Sequence, residues 1–193
     1  MCLVIAASFW FGSLLGDRQQ LQEELIRFHV VANSDSAGDQ AIKLRVRDAV
    51  LAAVQKDLEA IRDMDTAKQY IRENLPKIRM IANQVLQQAG VSQSAVVSLC
   101  RESFEKRQYD TFALPAGVYE SLRIVIGEGQ GHNWWCVAFP TLCLPATAEG
   151  FETAAVSSGF SESLTQSLTG EGCTIRFFVL DALGQLENML FTG

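Results

Sequence analysis

The residue types best suited to chemistry are a histidine and a cysteine four positions apart, His132 and Cys136. A cysteine nucleophile needs its thiolate in hydrogen-bond contact with an imidazole that a third group orients. On a β-strand, side chains four positions apart share a face but lie about 13 Å apart, since each residue adds about 3.3 Å. These two residues therefore do not form a dyad on one strand. A pair between His29 and Cys136 from different elements stays open, beside a structural role for His29 in an apolar run.

The glycine-rich segment Gly127–Gly131 does not predict a phosphate site. Its spacing lacks the G-x-G-x-x-G pattern, and neither a Lys-Ser/Thr pair nor an apolar helical stripe follows it. Upstream, a polar turn combines five side chains that carry oxygen: Asn33, Ser34, Asp35, Ser36 and Asp39. A calcium loop would need more alternating oxygen ligands and a distal bidentate Glu, so helix capping is the favoured interpretation. We expect neither a metal ion nor a cofactor.

Two adjacent tryptophans, Trp134 and Trp135, follow this glycine-rich segment. Neighbouring side chains on a strand face opposite sides, so one ring enters the core while the other faces outward. An outward tryptophan beside His132 and Asn133 has the composition of a protein-interface hot spot. The alternative, in which both rings pack under neighbouring elements, carries equal weight because tryptophan is highly buried on average.

The overall charge excludes one class of function. The 193 residues include 16 Lys+Arg and 22 Asp+Glu, which gives a net charge of −6. Binding of nucleic acid without sequence preference depends on clustered basic residues that neutralise phosphates. The basic residues here are scattered, so we expect no nucleic-acid partner.

The first 16 residues, Met1–Gly16, contain no charged side chain. This stretch is shorter than the roughly 20 apolar residues that span a bilayer. It is typical of the apolar part of a secretory signal or of a truncated N-terminal anchor, although the basic region that normally precedes such a segment is missing. We therefore expect export or membrane tethering through residues 1–16. The alternative is a buried N-terminal helix.

Five cysteines are present, and Cys2 lies within this apolar segment. If the rest of the chain is exported, disulfides become permissible. The other four cysteines allow three full pairings, and the sequence does not choose among them. Cys136 and Cys143 are kept as a candidate disulfide, while buried free thiols remain the alternative.

Periodicity predicts an α+β fold with a mostly antiparallel sheet and two long amphipathic helices after the first strand. The run Leu25–Ala32 predicts a buried strand, and two apolar stripes at helical spacing follow it. The stripes are Ile42, Val46, Val50, Val54, Leu58 and Ile61, and then Ile71, Leu75, Ile78, Ala82, Val85 and Ala89. Pro76 predicts a kink or restart in the second helix.

The remaining strands are predicted from alternating or β-branched runs. Residues 95–100 and 107–114 suggest an antiparallel pair, and residues 122–126 and 134–139 suggest a hairpin around the glycine-rich segment. Residues 150–172 predict a mobile loop or a weak helix at about 161–168. Residues 173–180 predict a last strand. We expect residues 20–193 to form a single domain.

Two segments resemble the stage II sporulation protein R family of endospore-forming bacteria. The first is Ile26-Arg-Phe-His-Val-Val-Ala-Asn-Ser-Asp35, with Asp39-Gln40, Lys43 and Val46-Arg-Asp48 after it. The second is Pro115-Ala-Gly-Val-Tyr-Glu-Ser-Leu-Arg-Ile-Val-Ile-Gly-Glu-Gly-Gln-Gly-His-Asn-Trp-Trp-Cys136, with Phe139-Pro140 and Cys143 after it. The resemblance covers roughly residues 20–145, and its second segment, which includes Gly131–Val137, is the most specific part.

This resemblance implies a signal protein and not an enzyme. Members of the family are made in the forespore and exported toward the space between the two membranes around it. There they trigger a membrane-bound aspartic-type protease that processes the precursor of sigma factor E. The charge-free N-terminus agrees with export, and we expect membrane contact through that segment only.

The family supplies no catalytic residues, so the contact residues are chosen by their chemistry: His132, Asn133, Trp134 and Trp135, with Arg123 as a charged partner. The competing hypothesis is an exported hydrolase of cell-wall or peptide substrates that uses His29, His132 and Cys136. An exported scaffold domain is a third interpretation.

Overall fold

The computed structural model describes residues 2–110, 112–140, 148–157, 159–169 and 175–191. Six helices and six strands occur in these ranges. In chain order they are α1 Cys2–Glu24, β1 Ile26–Val31, α2 Ala37–Ala60, α3 Met64–Gln88, β2 Ala95–Phe104, β3 Arg107–Gln108, β4 Ala113–Leu114, β5 Gly117–Ile126, β6 Asn133–Phe139, α4 Ala148–Ser157, α5 Glu162–Thr169 and α6 Ile175–Leu190.

The chain divides into two compact units. Unit 1 comprises Met1–Leu25, Arg101–Tyr119 and Leu144–Gly193, and unit 2 comprises Ile26–Cys100 and Glu120–Cys143. The boundaries fall inside β2 and β5. Both segments of the family resemblance lie largely in unit 2.

Unit 2 packs the predicted helices α2 and α3 against one face of a four-stranded sheet. The apolar stripe of α2 is buried at Val46, Val50, Val54 and Leu58, and it meets the inward side chains of β1, among them Phe28. Full burial of one such side chain is worth about 1.5–3 kcal/mol, so these stripes hold the helices on the sheet. Pro76 lies inside the continuous helix α3, which does not restart there.

The sheet is mixed, so the predicted mostly antiparallel arrangement needs correction. The strand order is β2-β5-β1-β6, with β1 parallel to β5 and antiparallel to β6. All six residues of β1 are buried, as predicted for Leu25–Ala32. A strand lies at each edge of β1, α2 packs on one face, and the Trp135 ring stacks on His29 on the other. The α+β class with two long helices after the first strand is confirmed.

Both predicted strand pairs are wrong. The strands at 122–126 and 134–139 exist, but β1 separates β5 from β6, so they do not form a hairpin. The strands at 95–100 and 107–114 do not pair either, because β2 neighbours β5 whereas β3 pairs with β4 in a small second sheet. Alternation identifies a strand without identifying its neighbour, which long-range contacts decide.

The predicted last strand is also wrong where the structure describes it, since α6 begins at Ile175. Residues 150–172, predicted as a mobile loop or a weak helix, contain most of α4 and all of α5. In unit 1, α1 continues through the polar residues after Gly16 and buries Leu14, Asp17 and Leu21 at helical spacing. Among the described residues, no helix is both long and apolar enough to cross a membrane.

Candidate functional site

The segment between β5 and β6 crosses the carboxyl end of β1. Since β5 is parallel and β6 antiparallel to β1, the chain leaves β5 and enters β6 at the edge where β1 ends. We call residues 127–132 the crossover loop and residues 32–36 the β1 turn. The N–H of Gln130 donates to the Asn33 carbonyl (3.1 Å), and that of Gly131 donates to the Ala32 carbonyl (3.0 Å). The two segments that carry the family resemblance are therefore hydrogen-bonded to each other.

The glycines of the crossover loop are required by this close approach. Gly127 and Gly129 adopt φ of 58° and 64°, a region that side chains with a Cβ rarely occupy. The φ of Gly131 lies outside this region, but a Cβ at Gly131 would overlap the Ser34 carbonyl group. The glycine-rich segment is thus a tightly fitted crossing rather than a phosphate loop or a hairpin tip.

Asp39, in the first turn of α2, fixes the β1 turn. Its Oδ2 accepts hydrogen bonds from Asn33 Nδ2 (2.9 Å) and Ser34 Oγ (2.5 Å). The bonds from Ser34 and Asn33 lower the pKa of the Asp39 carboxyl because they favour its charged form. Asn33 Oδ1 in turn accepts from the Glu128 N–H (3.1 Å). As the capping interpretation predicted, Ser36 Oγ accepts from the Asp39 N–H at the start of α2.

His132 ends the crossover loop and binds Asp35 of the β1 turn. The His132 N–H donates to Asp35 Oδ1, and the His132 Nδ1 lies 2.5 Å from the same oxygen. These contacts, with the backbone N–H first and the imidazole second, lower the pKa of the Asp35 carboxyl. The His132 side chain nevertheless remains 81% exposed. The pair orients the imidazole while leaving most of its surface accessible to a partner.

A buried lysine of α2 also binds the crossover loop. Lys43 of α2 is only 5% exposed, and its Nζ donates to the His132 carbonyl (2.9 Å) and to Gln40 Oε1 (2.6 Å). Burial lowers the pKa of Lys43, while the negative charge of Asp35 acts in the opposite direction. Since a buried charge is costly unless it is hydrogen-bonded, Lys43 and the loop stabilise each other.

Trp134 lies on the helix-covered face of the sheet. Its ring meets the Phe28 ring edge to face, with centroids 5.6 Å apart, and the Arg47 guanidinium lies 4.9 Å from its centroid. This cation–π contact covers the outer part of the ring. The side chain is therefore a half-buried part of the core rim rather than an outward anchor.

Trp135 lies on the opposite face, as the alternation of a strand requires. Its ring stacks on His29, with centroids 3.6 Å apart and an interplanar angle of 18°. The register places Arg123 of β5 and Trp135 of β6 on either side of His29. His29 is buried, whereas Arg123 and Trp135 are half-buried. The predicted contact residues are thus divided between two faces and the loop edge.

The structure does not assemble the predicted Cys/His pair. Cys136 lies opposite Phe28 in the β1–β6 register, on the face away from His29, and it is disulfide-bonded. A sulfur in a disulfide is not a thiolate nucleophile. Cys143, the other half of the candidate disulfide, lies outside the described residues, so that pairing stays a prediction. No group of three or more metal-ligating side chains is found in the part of the chain that the structure describes.

Sequence reasoning did not predict that Asp39 fixes the β1 turn, that Lys43 binds the crossover loop, or that Arg47 lies over the Trp134 ring. These three residues recur every fourth position, which places them on one face of α2. That spacing was visible in the sequence, but only the strand order shows that this face meets the crossover loop.

Comparisons with known proteins agree with the two segments that form this site. The family model described as Stage II sporulation protein R matches residues 22–149. The curated Stage II sporulation protein R of Bacillus subtilis (strain 168) is 39% identical over 123 residues, which cover 64% of this chain and 55% of that protein. The chain thus spans just over half the length of this relative. No solved structure matches the chain.

Proposed function

We propose that this chain, which belongs to the stage II sporulation protein R family, is an exported signal protein. In this proposal it leaves the forespore, enters the space between the two surrounding membranes, and activates a membrane-bound aspartic-type protease that processes the sigma-E precursor. Membership of the family supports a role in sporulation. The observation that supports the proposed signalling role is that the two segments that carry the family resemblance, here called the signature segments, meet at one accessible surface.

That surface consists of the crossover loop, the β1 turn and the first residues of β6. His132 and Asn133 are exposed at its centre, with Trp134 and Trp135 half-buried beside them. A fixed loop that presents exposed polar groups beside partly accessible aromatic rings has the composition of a protein-binding hot spot. The hydrogen bonds that Asp35 and Asp39 accept and that Lys43 donates fix the loop and the β1 turn before binding, so little ordering cost remains for the complex.

Two further features support export. Met1–Gly16 is free of charged residues, as the apolar part of an export segment is. Cys136 is disulfide-bonded, and disulfides persist in oxidising extracytoplasmic compartments rather than in the cytosol.

The alternative function, an exported Cys/His hydrolase, has less support from the site. Its proposed nucleophile Cys136 is oxidised, and the register separates it from His29. A folded Cys136→Ala protein should therefore still trigger protease activation. Loss of activation in a folded Cys136→Ala protein, with the wild type cleaving a cell-wall or peptide substrate, would favour the hydrolase.

The decisive experiment is coexpression of the full chain with the membrane-bound protease, scored by cleavage of the sigma-E precursor. We expect at least about tenfold less cleavage with His132→Ala or Trp135→Ala, since removal of one hot-spot side chain costs about 2 kcal/mol or more of binding energy. Lys56→Ala, at an exposed residue of α2 outside this surface, serves as the control. Circular dichroism and thermal melting verify folding of each variant.

Full cleavage by both folded variants would remove this surface from the proposal. Absence of cleavage by the wild-type chain, when the protease and precursor are present and the chain is exported, would contradict the signalling function itself.

A further inference from the structure

The first six residues of β2 lack the features that normally protect a sheet edge, whereas the charged residues Arg101 and Glu102 follow them in the same strand. In the described part of the chain, β2 is the first strand in the order β2-β5-β1-β6, so it has a strand neighbour on one side only. Natural edge strands are usually protected by charges, proline or bulges. The stretch Ala95–Cys100 contains no charged residue, proline or glycine, and Val96 is 62% exposed.

One side chain already pairs with this edge as a peptide group would. Asn83 of α3 accepts a hydrogen bond from the Ala95 N–H at Oδ1 (2.9 Å) and donates from Nδ2 to the Ala95 carbonyl (3.3 Å). The amide thus reproduces the two backbone bonds that a neighbouring strand would supply at one residue. It covers Ala95 alone.

The pairing of Ala95 shows which backbone groups along β2 point outward. The N–H and C=O of one strand residue point to the same edge, and successive residues alternate between the two edges. The Ser94 carbonyl accepts from the N–H of Gly127, the residue after β5, so Ser94 faces inward and Ala95 outward. By the same alternation, the backbone groups of Val97 and Leu99 point to the outer edge.

The helix beside this edge is basic, although the chain as a whole has a net charge of −6. α3 contains four basic and two acidic residues. Arg72, Arg79 and Asn83 lie seven and four positions apart, which places them on one helix face. Both arginines are exposed, and no ion pair is found for either within the described residues. The face of α3 that reaches the β2 edge through Asn83 thus carries positive charge.

We propose that the outer edge of β2 binds an extended acidic peptide segment of a partner protein as an added strand. Its backbone pairs with Val97 and Leu99, and its carboxylates face Arg79 and Arg72. Strand addition gives affinity through main-chain hydrogen bonds, whereas side chains set the specificity. A second copy of this chain fits less well, because its own Ala95–Cys100 stretch offers no carboxylate to the arginines. The residues that would bind the peptide, Val97, Leu99, Arg72 and Arg79, are not part of the crossover loop, so the test is independent of the proposed signalling function.

The test uses the full chain and a fluorescein-labelled peptide, Glu-Val-Glu-Val-Glu-Val-Glu, with fluorescence anisotropy as the readout. We expect saturable binding that weakens as salt shortens the Debye length to about 3 Å at 1 M. The double variant R72E/R79E should bind at least about tenfold more weakly, because two attractive charges become repulsive. The matched control R45E/R62E reverses two exposed arginines that lie off this face and should bind as the wild type does.

Two further probes distinguish strand addition from charge attraction alone. The same peptide with alternate backbone nitrogens methylated keeps its charges but loses the donors on one edge, and it should bind at least about tenfold more weakly. Saturating unmodified peptide should slow hydrogen exchange at the Val97 and Leu99 amides of the wild type.

Equal binding of the methylated peptide or of a Lys-Val counterpart, unchanged exchange at both amides, or equal loss in the two double variants would overturn the proposal. A concentration-dependent dimer in sedimentation velocity that protects the same amides without peptide would assign the edge to a second copy instead.

Discussion

Gly131 shows how a single residue couples the two signature segments. Its N–H bonds the Ala32 carbonyl, and its Cα passes so close to the Ser34 carbonyl group that no Cβ fits. Ser34 belongs to backbone that Asp39 fixes through a side-chain bond. The Ser34 backbone therefore does not shift easily, and only glycine fits at position 131.

We expect Gly131→Ala to destabilise the protein by about 1–3 kcal/mol, the usual cost of forcing a methyl group into filled space. Urea unfolding with equal m-values in both proteins measures this loss. Gly38→Ala is the matched control, because a Cβ at Gly38 meets nothing closer than 4.0 Å and Gly38 lies in the first turn of α2.

The free energy of unfolding of Gly38→Ala should equal that of the wild type or exceed it by up to about 1 kcal/mol, because alanine is the better helix former. Equal stability of Gly131→Ala and the wild type would show that the crossover loop is not tightly fitted to the β1 turn.

The exposed residues of the site were partly predictable from their types. His132 and Asn133 were placed on an accessible turn, and they are exposed. The adjacent tryptophans were expected on opposite faces, and the structure places them so. Neither the bond between His132 and Asp35 nor the burial of Lys43 was predictable, because both depend on which segments cross.

At the scale of elements, α6 shows that a segment with the composition of a strand can form a helix. The run Ile175–Leu180 is β-branched and aromatic and therefore predicts a strand. In the structure it begins a helix that buries Phe177, Leu180, Asp181 and Gly184. Asp181 Oδ1 accepts from the Ala116 N–H (2.9 Å), so a tertiary contact within unit 1 selects the helical spacing. Intrinsic strand preference is weak enough for such packing to override it.

The close contact of α6 with the segment before β5 leads to a second prediction. A Cβ on Gly184 would overlap the Ala116 carbonyl group, which is backbone and not a movable side chain. We expect Gly184→Ala to destabilise unit 1 by about 2 kcal/mol despite the better helix propensity of alanine. Hydrogen exchange of the α6 amides measures the change.

Gly12→Ala provides the control for this experiment, since nothing lies within 4 Å of a Cβ at that position of α1. It should leave α6 exchange unchanged. Unaltered α6 protection in Gly184→Ala would contradict the packing of this helix on Ala116.

At the scale of the whole molecule, four carboxyl groups have pKa values shifted in opposite directions, because burial dominates at two of them in unit 1 and hydrogen bonding dominates at two of them in unit 2. In unit 1, burial raises the pKa of Asp17 even though Arg176 binds it, and burial also raises the pKa of Glu24. In unit 2, hydrogen bonds lower the pKa of Asp35 and of Asp39. The units should therefore differ in their response to acid.

A raised folded-state pKa means that ionisation costs stability, so α1 should gain local stability as pH falls from 7 toward the ordinary carboxyl range of about 4. A lowered folded-state pKa contributes stability above the ordinary value, so the β1 turn should lose protection only below about pH 4. Hydrogen exchange at pH 7, 5 and 3, corrected for intrinsic rates, measures both trends.

Asp39→Asn should reduce the loss of hydrogen-exchange protection that the β1 turn shows in acid. Asp17→Asn should reduce the gain of protection that α1 shows as the pH falls. Parallel trends in the two units would contradict the assignment of these carboxyl groups.

The sequence by itself determined features that depend on neighbouring residues. Apolar positions at helical spacing defined α2 and α3, the run at 25–32 defined a buried strand, and the polar turn after that strand marked the start of a helix. The signature segments also identified the family that the comparisons confirm. Such patterns are local because backbone dihedrals and the burial of one face repeat with fixed periods.

Only the tertiary structure decided the order of the strands and, with it, the site. The insertion of β1 between β5 and β6 turns an apparent hairpin tip into a crossing over the β1 turn. It also places Cys136 and His29 on opposite faces and brings Asp35 to His132. The physical reason is that each strand presents the same backbone hydrogen-bonding groups at both edges, so its neighbours follow from packing of the whole sheet and not from its own sequence.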